Sequence, residues 1–217
     1  MLRSCHATGG FRRTSGVGRF PTISLSSQLV PRYPRLMPLN PVPLNNIEVE
    51  LSGGHPNSLG NTVAIVERIL DDPALLDNLI DCYGSDDAVV RLRVSSALKR
   101  ISAAHPQWLM PYLDRMLTTI ASIDQASTQW TLAIVFDRLR GFMSAAESDA
   151  ALTVMKRNLD ASDDWIVQNT TMQVLAEWAR SDVSLRNWLA PRLLRLAASP
   201  RKSVAGRARK LLDHPAP

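Results

Sequence analysis

Four kinds of side chain in this 217-residue sequence could do chemistry: histidines beside prolines, aspartates in pairs, an unusual number of tryptophans, and cations gathered near the C-terminus. Of the histidines His6, His55, His105 and His214, the last three each precede a proline. A residue before proline is pushed out of helical geometry, so these three mark element boundaries rather than a ligand set. No HExxH, Walker, GxGxxG or GxSxG pattern occurs. The pairs Asp71-Asp72, Asp86-Asp87 and Asp163-Asp164 could ligate a cation or form a carboxylate dyad. Each stands where a helix pattern starts or stops, however, and there an aspartate accepts orphan amide hydrogens and matches the helix dipole; Asp86 and Asp163 sit where an N-cap or first-turn acid belongs. Asp71-Asp72 runs into Pro73 and reads as a turn. The SGG stretch at 52–54 could cradle an anion, and reads instead as a flexible entry to the domain. The expectation is no catalytic residue, no cofactor and no metal site.

The tryptophans are Trp108, Trp130, Trp165, Trp178 and Trp188, against four Phe and three Tyr. Aromatic side chains of this size anchor cores and interfaces. Trp178 falls in an apolar column and is expected to be buried. Trp108 and Trp188, each followed by Leu, occupy equivalent places and are expected to staple neighbouring units. Trp130 and Trp165 stand off that column and are the candidate partner-binding residues, Trp165 being the more exposed. The C-terminal stretch RLLRLAASPRKSVAGRARKLL adds Arg201, Lys202, Arg207, Arg209 and Lys210 as a candidate patch for an anionic partner. A terminal unit with a polar outer face explains the same residues structurally.

The elements that must position these residues repeat. DDAVVRLRVSSALKR begins at position 86 and DDWIVQNTTMQVLAE at 163. The apolar set Val90, Val94, Ala97, Leu98, Ile101 recurs as Thr128, Leu132, Val135, Phe136, Leu139. It returns as Val167, Thr171, Val174, Leu175, Trp178, and again as Val204, Ala208, Leu211, Leu212. Offsets of i, i+4, i+7, i+8 and i+11 trace one helix face, and copies arise about every 38 residues. Between copies lie WLMPYLDRMLTTI, DAALTVMKRNL and NWLAPRLLRLA, each a second helical pattern, with breakers at 105–106, 140–141 and 199–200. LGNTVAIVERIL, with Ser58 as its cap, and PALLDNLIDCY, with Pro73 in its first turn, make a further pair. IEVEL at 47–51 alternates but has no strand partner. A lone helix pair cannot cover its own apolar face, so the fold expected is all-α, an α-solenoid of about four to five stacked antiparallel pairs.

Charge divides the chain. Residues 1–47 hold six arginines and no acid; 48–182 hold 11 basic and 19 acidic residues; 183–217 hold eight basic residues and one acid. Residues 1–47, rich in Arg, Ser and Pro, are expected to be a disordered extension, with 48–217 the repeat domain. Arg and Ser without acids also suit an organellar transit peptide, and Met37 is an alternative start. The two cysteines, Cys5 and Cys82, show no metal or disulfide spacing and read as free thiols of a reducing, cytoplasmic setting. No apolar run reaches the length of a membrane span.

The stretches DDAVVRLRVSSALKRISAAHP (86–106) and DDWIVQNTTMQVLAEWA (163–179) resemble HEAT repeats, which open their second helix with Asp-x-x-Val-Arg and continue with Ala-Leu. Asp87, Val90, Arg91, Ala97 and Leu98 match; in the later copy Asp164, Val167 and Leu175 match, and Gln168 replaces the arginine. The resemblance spans roughly residues 56–213 and implies a ladder of Asp and Arg between units, broken here where the copies diverge. It also implies a non-enzymatic scaffold that binds a protein or peptide on a curved helical surface. The alternative is a nucleic-acid-binding protein similar to alkylpurine DNA glycosylases, which use tryptophans, an aspartate and an arginine. Trp178 and Asp182 have a Trp-x-x-x-Asp spacing for that reading, and the basic C-terminal helices would meet the nucleic acid, although acidic central repeats oppose phosphate.

Overall fold

A computed structural model of the chain describes residues 45–55 and 58–213. Most of the expected extension, with Cys5, His6 and Met37, lies outside these residues, as does His214. The first helix, α1 (Asn45–Leu51), begins inside the stretch assigned to that extension. IEVEL is therefore helical, and it buries Ile47 and Leu51, four apart on one face. Next come α2 (Thr62–Asp71), α3 (Leu76–Asp81), α4 (Ala88–Ala104) and α5 (Leu113–Leu117). They are followed by α6 (Ala126–Leu139), α7 (Ala145–Ala161), α8 (Trp165–Trp178), α9 (Val183–Ala197) and α10 (Lys202–Asp213).

The even-numbered helices stack in series, α2 on α4, α4 on α6, α6 on α8 and α8 on α10. The odd-numbered helices α3, α5, α7 and α9 form the other layer. The described residues are thus an α-solenoid of two layers around one continuous apolar core that runs from Ile47 to Ala208. The repeated apolar set lines it: Val90, Val94, Val167 and Leu175 are fully buried, and Phe136 and Leu139 fill the second copy. Pairing differs from the expected one in one respect. Because α2 stacks on α4, it is a second-layer helix, and α3 opens the next unit.

Local chemistry explains where the helices start. The repeated signal is Ser-Asp-Asp. Ser85 and Ser162 accept the amides of Asp87 and Asp164, and those second aspartates are the caps. Asp87 accepts the Val89 amide at 2.7 Å, and Asp164 accepts those of Ile166 and Val167 at 2.8 and 3.0 Å. The caps are therefore one residue later than expected, because the serine turn consumes the first aspartate. Asp72 caps a 3₁₀ turn, Pro73–Leu75, through the Ala74 amide, as a turn at Asp71-Asp72 requires. Ser58 does not cap α2; its hydroxyl accepts from the Gly60 amide. Ser144 and Glu147 form a reciprocal capping box on α7, and that pair holds the Glu147 carboxyl below the usual range. WLMPYLDRMLTTI is not one helix. Pro111 lacks the amide an α-helix needs, so the stretch begins as a 3₁₀ run, Pro106–Tyr112, and only then enters α5.

Both layers are joined by packing and by polar side chains. In the second, Arg138 of α6 donates to the Lys99 carbonyl and the Ser102 hydroxyl of α4, and Arg207 of α10 donates to Gln173 of α8. The first layer is also tied by polar side chains: Tyr112 donates to Asp77 at 2.7 Å, Arg115 pairs with Asp81 at 2.7 Å, and Arg192 and Arg195 both reach Asp160. Arg192 and Arg195 hold the Asp160 carboxyl below its ordinary range. At the place of the Asp–Arg ladder, Arg91 meets a glutamine of the next unit instead of an aspartate. Arg91 donates to Gln125 at 2.8 Å and to the Ser85 carbonyl; Gln125 answers with its amide on the Ala88 carbonyl at 2.9 Å. Gln168 makes the equivalent bond to the Ser162 carbonyl at 2.9 Å and ends there.

Two core positions of the repeat are threonines, Thr128 and Thr171, both fully buried with no hydrogen-bond partner for the hydroxyl. Valine keeps the shape and removes the unmet group. Each Thr→Val substitution is expected to stabilise the fold by about 1 kcal/mol. Thermal melts check this, with a rise of about 2–4 °C per site.

Candidate functional site

Stacking fixes which side chains line up across the second layer, Ser96 among them buried. Register places Leu92, Trp130, Asn169 and Gly206 in one column across α4, α6, α8 and α10, and Ser96, Ile134, Gln173 and Lys210 in the next. Trp165 is 47% exposed, and Ile166 beside it is also open. Asn169 follows Trp165 by one helical turn, on the same side. Its Oδ1 is buried and accepts no hydrogen bond. Trp130 is half-buried, and the Lys99 ammonium sits over its ring, 5.0 Å from the centroid. The two candidate tryptophans therefore stand on adjacent helices of one layer. Neither Asn169 nor Lys99 was singled out by the sequence. Their signal is the repeat register itself, since Asn169 occupies the place of Trp130 in the following copy.

The basic candidates divide. Arg207 lies on the α8 side of α10 and donates to Gln173 at 2.8 Å, while Lys202 and Lys210 stand exposed. Arg209 turns away to the Ala197 carbonyl at the end of α9, 2.9 Å distant. Arg201 is exposed in the turn before α10.

The acidic balance of residues 48–182 does not lie on helices α4, α6, α8 and α10, which carry nine Lys and Arg against Asp137, Glu177 and Asp213; α2, at the start of the layer, adds Arg68 against Glu67 and Asp71. The acids cluster instead along the layer's edges, at the Ser-Asp-Asp turns with Asp124, and at Asp137, Glu177 and Asp182.

The other tryptophans are structural. Trp178 is 2% exposed. It donates from Nε1 to Asp137 at 2.9 Å, and the Arg140 guanidinium covers its ring at 4.9 Å. Trp188 spans two units as expected, between Lys156 of α7 and Arg192, whose guanidinium lies 3.6 Å from its centroid. Trp108 stacks on His105 at 4.0 Å.

Hollows open between elements of the described residues. The first, about 300 Å³, brings Trp178, Arg140, Asp149 and Asp182 together. Asp182 spends Oδ1 on the Leu185 amide as the cap of α9, and the tryptophan face is covered, so the hollow offers no open ring for stacking a base. The second, about 470 Å³, lies beside Trp165 between Asp124, Gln129, Arg157 and Asp163. The third is an apolar notch of about 90 Å³ edged by Arg186. Among the described residues no three His, Cys, Asp or Glu side chains converge as metal ligands. No described helix is long and apolar enough to cross a membrane.

The SGG loop holds a cation where an anion was considered. Arg93 is 1% exposed and donates to the carbonyls of Leu51, Gly53, His55 and Ser58. The loop's carbonyls, not its amides, point inward. Gly60 approaches so closely that a Cβ there would lie 2.9 Å from the guanidinium carbon, at a φ of +48°.

Cys82 is buried and its thiol donates to the Asn78 carbonyl at 3.1 Å. Burial, then the nearby Glu48 and Asp81, push its pKa up to about 11. The thiol is the wrong form for nucleophilic chemistry. In the native protein at pH 8, iodoacetamide is expected to leave Cys82 unmodified and to label it on unfolding in urea, read by peptide mass spectrometry. Rapid native labelling would contradict the packing described.

No protein-family model matches the sequence, and no curated protein matches it. Among solved structures the chain is similar to a designed armadillo repeat protein, at 14% identity and a TM-score of 0.36, over 78% of this chain and 98% of that one.

Proposed function

We propose that the protein is a helical-repeat scaffold that docks a protein or peptide segment on its second-helix layer. The observation that carries this reading is Trp165, half open to solvent, with Ile166 open beside it at the start of α8. An open aromatic anchor of this kind supplies apolar contact for an incoming chain. Trp130 and Ile166 extend the apolar contact across two helices. Arg207 and Lys210 of α10 continue the same surface, whereas Arg201 and Arg209 do not belong to it. The reading assigns no catalytic residue and no cofactor.

The test is quantitative capture of binding proteins from extracts, comparing Trp165→Ala and Trp130→Ala with Asn187→Ala, an exposed change on α9. A docking anchor of this kind is worth about 2 kcal/mol, so each tryptophan variant is expected to lose its captured protein by about tenfold or more. Melting temperatures should stay near the parent. Equal capture by all three variants contradicts the reading.

A further inference from the structure

We infer that the docked segment is an acidic peptide, laid in extended form across the second-helix layer. This rests on the docking surface proposed above and adds the chemistry of its occupant. The described ion pairs are Arg68–Glu50, Arg115–Asp81, Arg180–Glu177, and Arg192 and Arg195 with Asp160. None uses a cation of α4, α6 or α10. The nine basic side chains of α4, α6 and α10 therefore make no ion pair among the described residues, Asp137 acting on Arg138 without one. Five of the nine have a backbone task. Arg91, Arg93, Arg100, Arg138 and Arg209 donate to carbonyls; Arg100 does so within α4, and the others tie their helices to neighbouring segments. The remaining four are Lys99, Lys202, Arg207 and Lys210. Lys202 is the register mate of Trp165, and Lys210 of Gln173. They are spread along the aromatic surface, where carboxylates of a partner could reach each in turn.

Edge charge selects the shape of the occupant. The turns before α4, α6 and α8 present Asp86, Asp124 and Asp163, exposed at one end of the layer, while Asp137 and Glu177 stand exposed at the other. Between these rims α8 is 14 residues long, so the cationic lane is about 20 Å wide. A nucleic-acid duplex crossing it would press phosphates on both acidic rims. A single extended chain running along the stack stays inside the lane. Four helices at about 10 Å spacing match roughly 12 extended residues. Apolar side chains of that segment would meet Trp130, Ile134 and Ile166 while its carboxylates meet the lysines, a sequence in which Glu or Asp is interspersed with aromatic or aliphatic residues.

Fluorescence anisotropy of the full chain with a labelled probe tests this. The probe is a peptide of about 12 residues, long enough for the lane, in which Glu alternates with Ser, Leu and one Trp. The comparison probes are the same peptide with Lys for Glu, and single-stranded oligo-dT. The Glu probe is expected to bind, the Lys probe not to bind, and Lys99→Gln combined with Lys210→Gln to weaken the Glu probe about tenfold. Melting curves of the double variant confirm that it folds. Absence of Glu-probe binding, binding indifferent to the two substitutions, or tighter binding of oligo-dT overturns the inference. If the Glu probe fails while Trp165→Ala still loses its captured protein, the docking surface stands and only the acidic occupant falls.

Discussion

Replacing Arg93 with methionine is expected to release α1 and the loop that follows it. The guanidinium donates into a ring of carbonyls from Leu51, Gly53, His55 and Ser58, of which His55 also accepts the Ser58 amide at 2.9 Å, and it is buried there with no ion pair among the described residues. Methionine has a similar length and fills much of the space, but it donates nothing. Each carbonyl left dry costs about 1–3 kcal/mol. Undocking α1 lets water reach those carbonyls, so the loss takes the form of local opening rather than global collapse. Hydrogen exchange of the Ile47–Leu51 amides should accelerate by about a hundredfold or more, equivalent to about 3 kcal/mol. Protease cleavage should appear between Ser52 and Gly60, with α6 to α10 unaffected. Gly60→Ala should act in the same direction, because its Cβ would press on the guanidinium at a φ that alanine resists. Unchanged exchange in both variants would show that Arg93 does not hold this segment.

Truncating Trp178 to alanine is the second large loss expected, about 3–5 kcal/mol of global stability. The ring closes the core where α6, α8 and α9 meet, beside the 300 Å³ hollow that its loss would enlarge. Trp178→Phe separates packing from hydrogen bonding. It keeps most of the ring and gives up only the bond to Asp137, whose carboxylate is exposed and can turn to water. Its expected loss is about 1 kcal/mol. Urea denaturation of the two variants measures both, and an alanine loss below about 1 kcal/mol would mean that the ring is not a core element.

Sequence periodicity carried the second layer. Apolar residues at helical offsets in copies about 38 residues apart are a packing constraint, and packing is what the fold preserves. Features set by single backbone atoms were less legible. The cap fell on Asp87 and Asp164 because a serine hydroxyl, two residues before, claims the amide of the second aspartate. Pro111 split a helical pattern that looks continuous by hydrophobicity. IEVEL carries Ile47 and Leu51 at helical spacing and also alternates, so five residues could not decide. Arg93 was invisible as a structural cation because its partners are carbonyls, which every residue has. The charge of the candidate surface was hidden for a related reason: summed along the chain, the acidic turns outweigh the basic helices, and only the stack separates them.

The most direct measurement is a hydrogen-exchange footprint of the full chain with the acidic probe bound. Protection confined to α4, α6, α8 and α10, strongest around Trp130 and Asn169, with α7 and α9 unchanged, is the pattern predicted for docking on the second-helix layer. Protection centred on α7 and α9, with the second layer unchanged, would contradict it.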